Sequence, residues 1–238
     1  MLENRIIVVA GGTGNVGTHI TRGLLDKGAT VVVPSRSAEK LAGLRDHLSG
    51  TTDVTRLHGV VGDLANEKSN GALLERIESE TGVPHAVIAS LGRFRAAPSL
   101  HDASSTDLRA TLDDYLMAHF TIAKLFLKAF ADFGGNYVFV NGPLAFSSWE
   151  GTGLVSIATA AQQLLFQSLA KELAASDANV IELVNYAFIR DRATQPSSDV
   201  SGEAVGAYAA YLVSDAAHRH RGESIHFDSR FMLEEAGA

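Results

Sequence analysis

The chain has no cysteine, no apolar run long enough to cross a bilayer, no cluster of lysine and arginine, and no internal repeat or low-complexity tract. Each absence closes a class of function. Without cysteine there is no disulfide, no thiolate nucleophile and no thiolate-ligated metal. A spanning helix needs about 20 consecutive apolar residues, and Arg5 interrupts the N-terminal stretch before a signal-peptide core forms. The expectation is a cytoplasmic protein with no membrane partner. A net charge of -7 without a basic patch argues against a nucleic-acid surface, where clustered cations must meet phosphates. No Pro/Gly/Ser linker divides the 238 residues, and 46% hydrophobic content supplies a core, so one domain over 1–238 is expected. His218, Arg219, His220 and His226 come nearest to a metal cluster but lack ligand spacing, so no metal is expected.

What is present begins at once. Ile6 to Ala10 is a short, unbroken, β-branched run, as expected for a parallel strand covered on both faces. Glycines 11, 12, 14 and 17 follow directly, and apolar Ile20, Leu24 and Leu25 then recur at helical spacing until Lys27-Gly28. Thr30 to Val33 makes a second buried strand. A strand, a glycine turn, a helix and a second strand at this distance form a dinucleotide-binding unit: a pyrophosphate needs free N–H groups at a helix start and no Cβ in the way. Gly11, Gly12, Thr13, Gly14, Asn15, Val16 and Gly17 are therefore candidate phosphate-loop residues. A glycine triplet alone also suits a tight turn that binds nothing.

Short apolar runs then alternate with longer amphipathic stretches, which implies an α/β, Rossmann-like, doubly wound parallel sheet of about seven strands with helices on both faces. The remaining strands are predicted near 56–61, 85–90, 136–141, 179–185 and 223–228, and helices near 66–81, 105–132, 154–175 and 201–214. Ligands in such sheets sit beyond the carboxyl ends of the strands. The segments there are Gly62-Asp63-Leu64, Ala89 to Gly92, Asn141 to Gly153 and Tyr186 to Gly202.

Those segments, in that order, resemble the short-chain dehydrogenase/reductase family over nearly the whole chain. Gly62-Asp63-Leu64 resembles its Asp-bearing turn at the adenine. Ala89-Ser90-Leu91-Gly92 stands where the family writes Asn-Asn-Ala-Gly, and GEAVGAYAAYLVSDAAHRHRGESIHFDS resembles its closing helix, loop and strand. The resemblance implies cofactor contacts at Asp63, Leu64, Ser90 and Gly92. Asn15 stands where classical members carry glycine, which points to the extended and atypical branches. After the second strand come Pro34, Ser35 and Arg36 rather than the acidic residue that holds a ribose diol. Arg36 and Ser35 suit a 2′-phosphate, so NADP(H) is favoured over NAD(H); the other reading of Arg36 is a solvated loop charge.

The family's chemistry needs an Asn, a Ser, a Tyr and a Lys. Registered on Ser168 to Leu173, the Tyr position holds Val155, the Lys position Thr159 and the Ser position Gly142, while the Asn position aligns with Tyr115. Valine exchanges no proton, and general acid–base help is worth roughly 10²- to 10⁴-fold. Tyr115 is expected to fill the vacated space toward Thr159 and Gly142. Substitute groups are Ser147, Ser148, Thr152 and above all Tyr186, which lacks a nearby Lys in sequence; Arg93 and Arg95 suit an anion or solvent. The polar segment 188–203 corresponds to the family's substrate-covering loop. The resemblance implies a homodimer or homotetramer and a small carbonyl or alcohol ligand. Three functions stay open: an oxidoreductase with a displaced relay, a non-catalytic NADP(H)-binding regulator or partner subunit, and a relic with a closed cleft.

Overall fold

The computed structural model describes residues 1–94, 99–195, 198 and 200–228, so Arg95 lies outside the described residues. Strands β1 (Ile6–Ala10), β2 (Thr30–Ser35), β3 (Leu57–Val61), β4 (Ala86–Ala89), β5 (Gly135–Asn141), β6 (Ala178–Asn185) and a closing strand Ser224–Phe227 form one parallel sheet. Between β6 and that last strand lie two short strands, β7 (Ile189–Arg190) and β8 (Ala193–Thr194), so Ser224–Phe227 is β9. The order β3-β2-β1-β4-β5-β6-β9 reverses direction between β1 and β4. Chains leaving the carboxyl ends of those two strands diverge, and a crevice opens there.

Alternate residues along each strand feed opposite faces, which is why the strands read as unbroken apolar runs. On one face Ile7, Val9, Val31, Val33, Ile88 and Ile181 pack with helices α1 (Asn15–Asp26), α2 (Ala38–Ser49) and α7 (Gly202–Leu212). On the other, Val8, Val87, Tyr137 and Phe139 pack with α3 (Asn70–Thr81), α5 (Ala118–Phe133) and α6 (Gly153–Glu172). Helices α1 and α7 touch backbone to backbone, since a Cβ on Gly23 would overlap the Gly206 carbonyl and one on Gly206 would overlap that of His19. Among the described residues no helix is long and apolar enough to cross a membrane.

Several predicted elements change. Helix α2 was not expected; Ser37 caps it by accepting from the Lys40 amide at 3.2 Å, and Leu44 and Leu48 bury its inner face. The predicted helix 66–81 begins only at Asn70, because Asp63 and Asn66 accept from Ala65 and Lys68 amides and wind the chain into turns first. The predicted helix 105–132 is three pieces: α4 (Ser105–Leu112), a π turn at Asp113–Met117 and α5. An extra residue per turn in the π segment re-aims the side chains that follow it. Helix α6 ends at Glu172 rather than 175, α7 ends at Leu212, and the histidine segment expected as a loop is a 3-10 turn over Asp215–His220.

His119, on α5, is wholly buried with its ring stacked on Phe139 at a centroid distance of 5.2 Å. Burial alone pushes its pKa down to about 3, so it is a neutral ring inside the core.

Candidate active site

Gly11 turns the chain out of β1 at φ 83°, and a Cβ there would overlap the Ser90 carbonyl oxygen at the end of β4. One on Gly17 would overlap the carbonyl of Gly11. The loop is thus pressed against both strand ends and the first turn of α1. Gly14 is the helix N-cap with no side chain to satisfy the leading amides, and no acidic residue occupies the first turn. Those N–H groups, with the positive end of the helix, make a setting suited to an anion.

In front of the loop lies a cleft of about 550 Å³. Of the sequence-predicted residues, Gly11, Thr13, Gly14, Ser35, Arg36, Asp63, Leu64, Ser90 and Gly92 line it, as does Arg93. Gly12, Asn15, Val16 and Gly17 are not among its lining residues; they shape the turn and the helix start behind it. Lys40, Asp113 and Asp114 also line it and were missed. Lys40 arrives on the first turn of α2, and the two aspartates on the π turn, both elements that the sequence pattern did not separate. The Arg36 side chain is 81% exposed and stands 3.9 Å from Asp63.

Farther along the same sheet edge, Val155 and Thr159 are 3% and 5% exposed. Thr159 Oγ1 donates to the Val155 carbonyl at 2.8 Å, which ties the hydroxyl into its own helix. Tyr115 packs with Val155 and Ala158, and its ring occupies the space a Cβ on Gly92 would need. Gly142 is different, because the nearest atom to an added Cβ is Asn185 O at 4.0 Å.

A family model described as short chain dehydrogenase matches residues 5–195. The chain belongs to the short-chain dehydrogenase family. Among curated relatives, L-fucose dehydrogenase of Mus musculus is 26% identical over 136 residues, 57% of this chain and 48% of that protein. Ketoreductase azaE of Aspergillus niger is 40% identical over 73 residues, 31% of this chain and 21% of that protein. The match thus spans about half the length of the L-fucose dehydrogenase. A short chain dehydrogenase from Bacillus anthracis superposes with a TM-score of 0.84 at 19% identity, covering 96% of each chain. A gluconate 5-dehydrogenase from Burkholderia cenocepacia, solved in complex with NADP and tartrate, superposes at 0.83 and 18% identity over 97% of this chain and 96% of that one. At these identities the superpositions show the fold of the short-chain dehydrogenases.

Below Gly142 this short-chain dehydrogenase carries a buried acid that its sequence gave little reason to single out, the lone charge within the otherwise uncharged strand β6. Glu182 is fully buried. Its carboxylate accepts from Asn141 Nδ2 at 2.9 Å and from Ser224 Oγ at 2.5 Å, and the Gln163 side-chain amide lies against both oxygens, where hydrogen bonding assigns its nitrogen as the donor. Asn141 also donates to the Thr159 carbonyl at 3.2 Å and accepts from the Gly142 amide at 2.9 Å, so one network joins β5, β6, β9 and α6. Burial raises the Glu182 pKa against the pull of these donors. A raised folded-state value means that stability is fully present below the unfolded pKa and declines as pH rises through the folded one. Glu182→Gln keeps the volume and removes the charge. Its urea midpoint is expected to gain on the wild type between pH 4 and pH 8; a gap constant across that range contradicts the assignment.

Of the other substitute groups, Ser147 Oγ donates to the Pro143 carbonyl at 3.1 Å and Thr152 Oγ1 to the Trp149 carbonyl at 2.8 Å, so both hydroxyls serve local turns. Tyr186 does not. Its hydroxyl lies 3.0 Å from His226 Nδ1, and the Phe146 ring packs on the same imidazole at a centroid distance of 4.8 Å. His226 therefore partners a tyrosine, while His220 Nδ1 lies 2.6 Å from Glu223 Oε2 and its Nε2 3.0 Å from the Tyr211 hydroxyl. Among the described residues no three His, Cys, Asp or Glu converge as metal ligands.

The segment 188–203, expected as a polar loop, contains the β7–β8 hairpin, turned by Asp191 and Arg192 at φ 50° and 64°. Arg192 holds it down: its carbonyl lies 3.0 Å from His19 Nε2 on α1, and its Nη1 donates to the Gly43 carbonyl on α2 at 3.3 Å.

Proposed function

We propose that this protein is an NADP(H)-dependent oxidoreductase acting on a small carbonyl or alcohol, in which the family's usual Asn, Ser, Tyr and Lys are replaced by Tyr115, Gly142, Val155 and Thr159. The observation that carries the nucleotide is the cleft itself. Its floor is a loop where any Cβ on Gly11 or Gly17 would strike backbone, and its far wall carries two cations, Arg36 and Lys40. In this reading Gly11 to Gly14 and the leading amides of α1 take the pyrophosphate. Ser35, Arg36 and Lys40 take the 2′-phosphate, Asp63 and Leu64 flank the adenine, and Ser90 and Gly92 lead toward the nicotinamide. The bound cofactor supplies or accepts the hydride.

Calorimetric titration with NADPH and NADH tests this. NADPH is expected to bind more tightly, and Arg36→Ala and Lys40→Ala are each expected to weaken it about tenfold while leaving NADH within about twofold, since each removes one charge-assisted contact to the extra phosphate. Equal binding of the two nucleotides, unmoved by either substitution, overturns the NADP(H) preference. Failure to bind either overturns the nucleotide reading.

A second reading is a non-catalytic NADP(H)-binding regulator or partner subunit. What favours it is the sealed packing of Tyr115, Val155 and Ala158 with the internally bonded Thr159 hydroxyl. Binding without turnover supports that reading. In both readings the exposed Phe120 and Leu164 on α5 and α6 are a surface for a second copy of the chain. Sedimentation is expected to show a homodimer or homotetramer.

A further inference from the structure

The geometry points to Tyr186 and His226 as a displaced proton-transfer pair, with Tyr186 as the group that exchanges a proton with the substrate oxygen. This rests on the oxidoreductase reading above. Residues 40 apart in sequence meet because β6 and β9 pair in register, with Val184 opposite His226 and Asn185 opposite Phe227. The Tyr186 amide donates to the Phe227 carbonyl at 3.2 Å, which holds the phenol over the imidazole. Phe146, from the turn just after Gly142, packs against His226 from another side.

Position decides why this pair differs from an ordinary surface contact. The Val155 side of the site is packed shut, whereas the space before Gly142 is open and bounded by the Asn185 carbonyl, the residue immediately before Tyr186. A substrate oxygen admitted at Gly142 lies beside the end of β6, the strand that Tyr186 directly follows. Tyr186 and His226 are both exposed, so the pair exchanges protons with solvent. The titratable groups recorded against His226 among the described residues are Tyr186 and, through space, the Glu182 carboxylate on β6.

In carbonyl reduction the hydride reaches the carbonyl carbon and the C=O π electrons pass to oxygen. The Tyr186 O–H bond breaks and its proton joins that oxygen. The phenolate oxygen takes the proton on His226 Nδ1, and solvent re-protonates the ring. Alcohol oxidation runs the same transfers backward, with neutral His226 as the terminal acceptor. Reduction therefore needs the imidazolium and slows as pH rises, while oxidation speeds up.

The test uses the whole protein with NADPH and 4-nitrobenzaldehyde, an activated aryl aldehyde. Tyr186→Phe is expected to lower kcat by about 10²- to 10⁴-fold. His226→Gln is expected to lower it less and to erase the inflection in the pH profile. NADPH affinity is expected to stay within about twofold in both, as a check that the cleft is intact. A readout independent of turnover is the nitrogen-15 spectrum of His226 without cofactor. Neutral His226 is expected with its proton on Nε2, and Tyr186→Phe is expected to shift both its tautomer balance and its titration midpoint. NADPH binding without turnover in the wild type overturns the relay, as do a kcat within threefold in Tyr186→Phe or a His226 titration blind to that substitution. Loss of NADPH binding by the wild type would remove the cofactor reading as well.

Discussion

Moving the protein from pH 7 to pH 4.5 is expected to remove about 3 kcal/mol of stability through His119, and His119→Leu is expected to escape most of that loss. The imidazole is buried and neutral, with its pKa pushed down to about 3, while in the unfolded chain it titrates near its ordinary 6.5. Between those values the unfolded state binds the extra proton, so stability falls as pH falls. Two pH units at 1.36 kcal/mol each give the magnitude. Leucine has a similar volume and no proton to bind; it forfeits the stack on Phe139 and starts somewhat less stable at pH 7. Urea midpoints of both proteins at the two pH values decide the matter. His19 and His85 are also shifted down by burial, and their contributions are common to both proteins and cancel. Equal losses in the two proteins would show that His119 is not the acid-sensitive group.

Gly17→Val is expected to destabilise the fold by roughly 3 kcal/mol and to abolish measurable NADPH binding. Its new Cβ meets the carbonyl of Gly11 and the Cα of Gly12, which are backbone on a loop already fixed by β1 and β4, so no side-chain rotation relieves the overlap. Either the loop lifts or the first turn of α1 unwinds, and both remove the amides from the cleft. Gly43→Ala is the matched control. Nothing lies within 4 Å of the added methyl in the middle of α2, and the change is expected to stabilise by about 0.5–1 kcal/mol. Thermal melts and calorimetry on the pair separate a local steric effect from a general intolerance of replaced glycine. Wild-type NADPH affinity in Gly17→Val would dissociate the glycine loop from the ligand.

The seven main strands were legible because burial on both faces forces unbroken apolar runs such as Ile6 to Ala10, and the glycine spacing marked one wall of the cleft. The opposite wall was not. Lys40 becomes visible only once Ser37 is recognised as a cap, and the apolar signal of α2, Leu41, Leu44 and Leu48, is diluted by Gly43 and by polar neighbours. The π turn at Asp113–Met117 shifts Asp113, Asp114 and Tyr115 without altering helical periodicity enough to be read. Tyr186 stood out as a phenol at a strand end, but its partner is fixed by the β6–β9 register, a tertiary fact. His226 looked instead like a member of the histidine segment.

The crossing of Gly23 and Gly206 also sets an order of events during synthesis. Ile20 and Leu24 on α1 share their core cluster with Val205 and Ala209 on α7, which leave the ribosome about 180 residues later. Until then the helix that follows the phosphate loop has one flank uncovered, and the growing chain carries its most ligand-like element in an unfinished state. Stalled chains ending before residue 200 should therefore recruit holding chaperones, and capacity to retain nucleotide should arise only as the last helix emerges.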